Sequence, residues 1–365
     1  MSPLRARGSA LARAAGPVLG LLVAASLLAA VVGGLLRAGA DWVPLQGSML
    51  VSRSAAAHAA LMLTGFLGTV IAIERAVAVR LRWAFAAPMA SGCSGVCMLV
   101  GRFDAAAALG LLAAGVSVAV HVVVLRRQRA AHTALLLVAS LAWLAGNTLF
   151  AARQDVAAAL PWWFALPVLT IAAERLEMTR LTRRHAAALP ALLVIVGGLL
   201  SGAALTPSPA GGVLFGGALT ALALWFSVFD IARRTLFAHG LARYMAVCLL
   251  AGYAWLALAG LAWVGMVLGC PGRDLALHAL GLGFITSMVM GHAPVILPAV
   301  ARVRLQFGLW FYAPLLALHG SLLLRLIGGI GHPALRTLGA ELNAVSLVLF
   351  AATLAGSAWA FRTRA

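Results

Sequence analysis

Leu275 to Val300, LALHALGLGFITSMVMGHAPVILPAV, decides the fold: it is long enough to cross a bilayer, continuously apolar, and carries two histidines. Imidazole is costly in hydrocarbon and marks a functional position by default. His278 lies about one turn inside one end, and His292 follows fourteen residues later. As an ideal α-helix, that spacing puts them ~21 Å apart along the axis and within ~40° in direction. One helix face would then offer imidazole at two depths.

The whole chain shares the character of this stretch. Of its 365 residues 63% are hydrophobic and 10% charged, with a mean hydropathy of +1.03, far outside the range of a soluble domain. All 27 basic residues are arginine, dealt out in small clusters between apolar runs. That is the pattern of membrane-protein loops. No basic block interleaved with aromatics points to nucleic acid. Cys-x-x-Cys-His is absent, so nothing signals covalent c-type heme. Cys93 and Cys97, four apart in an apolar run, read as small core residues.

Apolar runs fall at roughly 16–36, 55–73, 84–100, 105–125, 133–151, 156–173, 186–206, 210–229, 244–268, 275–300, 308–328 and 338–361. They are continuous rather than alternating, which predicts an all-α polytopic bundle of about twelve transmembrane helices forming one integral membrane domain. The first run, about 20 residues long, exceeds a signal h-region and reads as a retained helix. With the amino terminus in the cytoplasm, twenty arginines fall inside and seven outside. The positive-inside rule therefore predicts both termini to be cytoplasmic.

An internal echo is visible. Val70–Arg80, VIAIERAVAVR, matches Thr170–Arg180, TIAAERLEMTR, at five of eleven positions with an offset of one hundred residues. The echo links the second and sixth runs and suggests four-helix units, 1–132, 133–243 and 244–365. Glu74–Arg75 and Glu174–Arg175 within it read as ion pairs at helix ends.

His58 lies about one turn inside the outer end of the second run, the depth of His278 in the tenth. Two imidazoles at matched depth can take both axial positions of one low-spin heme. Arg53 and Arg325 fall near the same boundary, where a cation meets a heme propionate or simply snorkels. His292 and His319 both sit near mid-membrane on sequential helices and could bind copper or a second heme iron, with Met288 or Met290 as a soft ligand. Alternatively, His292 bonds a carbonyl freed by Pro294 or Pro298.

His58-Ala-Ala-Leu-Met62 resembles the low-spin heme segment on the second helix of heme-copper oxidase subunit I, and His278 resembles the axial ligand on its tenth. The oxidase copper histidines have no counterpart in 160–173 or 189–205, and Leu280 replaces the second tenth-helix histidine, so oxygen reduction by that mechanism is not expected. Chain size, His278-Ala-Leu and the Glu-Arg helix ends are similar to NnrS-type proteins. That resemblance implies heme b, copper, a bacterial inner membrane, a redox partner or quinol, and a role in electron transfer or nitric oxide metabolism. The rival expectation is a cofactor-free secondary transporter of a small solute or ion.

Overall fold

In hydrocarbon a backbone must satisfy its own hydrogen bonds, and a continuously apolar run does so as a helix. The computed structural model describes residues 3–43, 47–178 and 185–364, with side chains between 16 and 363. Among them there is no strand. The helices are α1 (Pro3–Ala38), α2 (His58–Val79), α3 (Ala86–Leu99), α4 (Phe103–Arg127), α5 (Ala131–Arg153), α6 (Val156–Met178), α7 (Ala188–Ala204), α8 (Pro209–Phe229), α9 (Gly240–Val267), α10 (Arg273–Ala301), α11 (Leu309–Gly328) and α12 (Pro333–Arg364). A short helix, Met49–Ala56, precedes α2.

Ten of these are long and apolar enough to cross a membrane, which makes the chain a multi-pass membrane protein by length and composition. The other two expected runs are shorter: α3 has 14 residues and α7 has 17. Of the arginines used for the orientation expectation, 180, 183 and 184 lie outside the described residues, as do the side chains of Arg5, Arg7, Arg13 and Arg364.

The described helices pack as two compact units: Met1–Arg129 with Ser140–Leu166, and Ala130–Ala139 with Pro167–Ala365. Their boundary runs through α5 and α6. In unit 1, α1, α2 and α3 meet at small residues. A Cβ on Gly65 would lie 3.0 Å from Ser26 Oγ and 3.3 Å from Gly95 Cα. In unit 2, a Cβ on Gly216 of α8 would lie 2.6 Å from Gly260 O and 3.0 Å from Val264 N of α9. Without a hydrophobic drive between helices in lipid, such close approach supplies the association.

Three stretches wind as π-helix: Leu61–Gly68 in α2, Ala279–Thr286 in α10 and Leu324–Gly328 in α11. A π-turn takes in one extra residue and often marks a functional position. In α2 the π stretch begins three residues after His58, and in α10 it begins one residue after His278. Both helices also end on an arginine in the left-handed region, Arg80 at φ 59° and Arg302 at φ 57°. Cβ strain disfavours that conformation in non-glycine residues. Two helices from different units thus share a histidine before a π stretch and a left-handed arginine at the end.

The α8–α9 contact carries the first prediction. Gly216→Val forces a side chain into the Gly260 carbonyl and should cost about 1–3 kcal/mol, as overpacking does, read as a lower melting temperature of the detergent-solubilised protein. Gly217→Val, next along and with nothing within 4 Å of its Cβ direction, should leave melting nearly unchanged.

Candidate functional site

The first polar cluster of unit 2 is built at the start of α10. Asp274 and His278 are one turn apart, so helical spacing aligns their side chains; Asp274 Oδ1 lies 2.8 Å from His278 Nδ1. Arg325, on the π stretch of α11, closes on the same carboxylate with two bonds, Nε to Oδ2 at 3.0 Å and Nη2 to Oδ1 at 2.7 Å. Such a fork is the strong geometry for an arginine–carboxylate pair. Arg325 Nη2 is also 3.2 Å from His278 Nε2. Its Nη1 donates to Asn343 Oδ1 at 3.5 Å, and Asn343 Nδ2 donates to Ser321 Oγ at 2.6 Å. Gly339 lets α12 pass directly over Arg325, since a Cβ there would lie 2.5 Å from Arg325 N. Arg325 is only 8% exposed, so of its two expected roles the snorkelling one does not hold: π winding turns it inward onto Asp274.

The second cluster surrounds His292. Its Nδ1 is 2.7 Å from Met288 O, four residues back along α10. A carbonyl accepts only, so Nδ1 carries the hydrogen and Nε2 accepts from Arg175 Nη2 at 2.9 Å. Arg175 in turn has Nε 3.9 Å from Asp230 Oδ2. Tyr253 donates to that same oxygen at 2.6 Å, and Asp230 Oδ1 accepts from Ala232 N at 2.9 Å. Arg175, Asp230 and Tyr253 are all buried. In its echo counterpart the expected pairing does form, Arg75 Nη2 to Glu74 Oε1 at 3.1 Å. In α6 the arginine instead turns inward to His292 and Asp230.

His319 occupies a third position. Trp255 Nε1 donates to His319 Nδ1 at 2.9 Å, with the rings nearly parallel. Trp255 packs on Gly283, whose Cβ would lie 2.5 Å from Trp255 Cγ, and Gly283 is nine residues before His292, ~13 Å along a helix. His292 and His319 therefore sit at different levels with different partners. The expectation of one α10 face bearing both His278 and His292 also changes, because the intervening π turns break the 100° phase. His278 looks to Arg325 on α11 and His292 to Arg175 on α6. The soft-ligand candidates are packed in the core: Met288 lies against Gly252, and Met290 O accepts from Tyr244 at 3.3 Å.

In unit 1, His58 Nδ1 is 2.7 Å from Ala30 O, which places its hydrogen on Nδ1. The ring lies over Gly34, where a Cβ would be 2.8 Å from His58 Cε1. Arg53 Nη1 donates to Leu99 O at 3.5 Å, and its guanidinium lies over Gly101, capping the carbonyl end of α3.

Among the described residues, no group of three or more His, Cys, Asp or Glu is arranged to hold a bare metal ion. Asp230, Tyr253 and Trp255 escaped sequence reading. Asp230 alone left a signal, an acid closing the apolar run of α8. Asp274 was legible in retrospect from its i,i+4 spacing to His278.

Removing one partner of a buried charge pair strands the other at roughly 3–5 kcal/mol. Asp230→Ala should destabilise by that order in denaturation of the solubilised protein, and Arg175→Met in the same chain should recover most of the loss.

No curated protein and no solved structure matches the chain. One family model does match, over residues 17–359, nearly the whole length. The chain belongs to that family, described as a domain of unknown function (DUF8744).

Proposed function

We propose that this is a heme-binding protein of a bacterial inner membrane, with His58 and His278 as iron ligands and a role in electron transfer or the handling of a diatomic gas such as nitric oxide. The observation that carries the reading is shared local architecture. The two histidines singled out by depth each lead into an eight-residue π stretch, and each has Nδ1 held by an oxygen, Ala30 O or Asp274 Oδ1. Iron-ligating histidines are oriented this way, the carbonyl or carboxylate fixing the tautomer so that Nε2 carries the lone pair.

The residue types are those a heme draws on. Asp274 fixes the tautomer and orientation of the His278 ring. Arg325 and Arg53 supply cations for propionates, and Arg325 keeps Asp274 and Asn343 as partners when it leaves Nε2 of His278. When bound, heme supplies reversible one-electron chemistry at a potential set by its axial ligands and burial. Gly34 leaves room for the His58 ring. Copper at His292 or His319 draws less support, because His292 Nε2 already accepts from Arg175 and His319 Nδ1 from Trp255.

Purified protein should show a Soret band and a split reduced α band. His58→Ala and His278→Ala should each abolish or shift that spectrum; a colourless wild type after heme supplementation overturns the reading. Gly34→Ala should perturb the spectrum without removing a ligand.

A second reading is favoured by the buried Arg175–Asp230–His292–Tyr253 cluster: a secondary transporter, in which a buried carboxylate is a coupling site. Its mark is a colourless protein whose transport, rather than spectrum, fails in Asp230→Asn.

A further inference from the structure

Unit 1 holds a small cavity, about 10 Å³, near the Glu74–Arg75 end of α2. A cavity of this size admits one small occupant. Gly68, Arg75, Ser117, His121 and Trp143 contribute to its lining. His121 Nε2 and Trp143 Nε1, both in that lining, have no protein partner among the described residues. Their side chains are deeply buried, at 3% and 1% exposure. Orphaned polar atoms at that depth call for an occupant.

The hydrogen positions are set by the neighbours. His121 Nδ1 lies 2.9 Å from Ser117 O, and a carbonyl only accepts, so Nδ1 carries a hydrogen in either protonation state. Nε2 is then a lone pair in the neutral ring and an N–H donor in the imidazolium. Trp143 Nε1 is a donor only, and its indole is set by Gly68, where a Cβ would lie 2.6 Å from Trp143 Cζ2. Arg75 adds a guanidinium whose charge Glu74 offsets at 3.1 Å. Arg127, six residues along α4 from His121, donates to Val79 O at 2.9 Å at the end of α2.

We propose that this cavity binds one halide-sized monovalent anion, taken up together with one proton on His121. An anion facing neutral His121 would meet a lone pair and bring an uncompensated buried charge, which is prohibitive. Protonation turns Nε2 into a donor, so the anion meets the imidazolium, the Trp143 N–H and the Arg75 guanidinium. Arg75 with Glu74 sums to zero, and so does imidazolium with a monovalent anion, leaving the buried net charge unchanged. Divalent anions fail on charge and polyatomic anions on size.

The test uses the full chain in detergent, titrated with sodium bromide against sodium sulfate at matched ionic strength. Thermal stabilisation gives the affinity. Bromide should stabilise and sulfate should not. Across about pH 6–8, bromide affinity should weaken about tenfold per pH unit, the slope of one linked proton. Trp143→Phe should weaken bromide at least tenfold at constant pH, and His121→Gln should remove the pH slope. Should a variant fail to fold, bromide anomalous scattering from wild-type crystals decides: density between His121 and Trp143 supports the site. Equal stabilisation by both salts, a pH-independent affinity, or an ordered water only in bromide-grown crystals overturns it. None of these readouts depends on heme.

Discussion

A helix surrounded by hydrocarbon has no water to finish an incomplete hydrogen bond, and that constraint shapes every polar feature of this protein. Many serines and threonines return their hydroxyls to carbonyls within the turn, as Thr69 does to Gly65 at 2.7 Å and Ser321 to Ala317 at 2.6 Å. Larger polar groups are settled only in part within their own turn and are also brought together across helices. The Arg325 guanidinium reaches Asp274, His278 and Asn343 from one position, and Asp230 caps one turn while accepting from Tyr253. Because an unmatched charge costs more than a matched pair contributes, these clusters specify which helices of unit 2 must be neighbours more than they add stability.

The π stretches are the backbone's part in the same solution. Inserting a residue into the helical count rotates every side chain beyond it, so Arg325 turns from a boundary position onto a carboxylate, and His278 and His292 turn to different neighbours. Small residues allow the helices to approach closely enough for these groups to meet: Gly339 beside Arg325, Gly283 beside Trp255, Gly34 beside His58. Helix association and the meeting of these polar groups thus draw on one device, a close helix approach at a glycine with a polar or aromatic side chain opposite.

The likeness of α2 and α10 bears on how such a chain arises. Each has a histidine ahead of an eight-residue π stretch and a left-handed arginine at its end. The sequence repeat, by contrast, links α2 with α6. Both likenesses begin from α2, and they preserve different things: the α6 echo keeps the Glu-Arg end, while the α10 likeness keeps the histidine and the winding. In α6 the arginine of the echo has become part of a buried cluster, which a match of letters does not reveal.

Composition and run length determined that the chain is all-helical and multi-pass, because apolar transfer and backbone satisfaction act on each segment independently of its neighbours. Spacing also singled out His58, His278 and Arg325, since a polar residue inside an apolar run stands out wherever the run packs. Partners were decided only by tertiary structure. That Arg175 faces His292 and Asp230 rather than Glu174, that His319 meets Trp255, and that His121 and Trp143 share a cavity depend on helix rotation and neighbour choice. Both are set by π winding and close packing between segments far apart in the chain, which no local pattern of residues encodes.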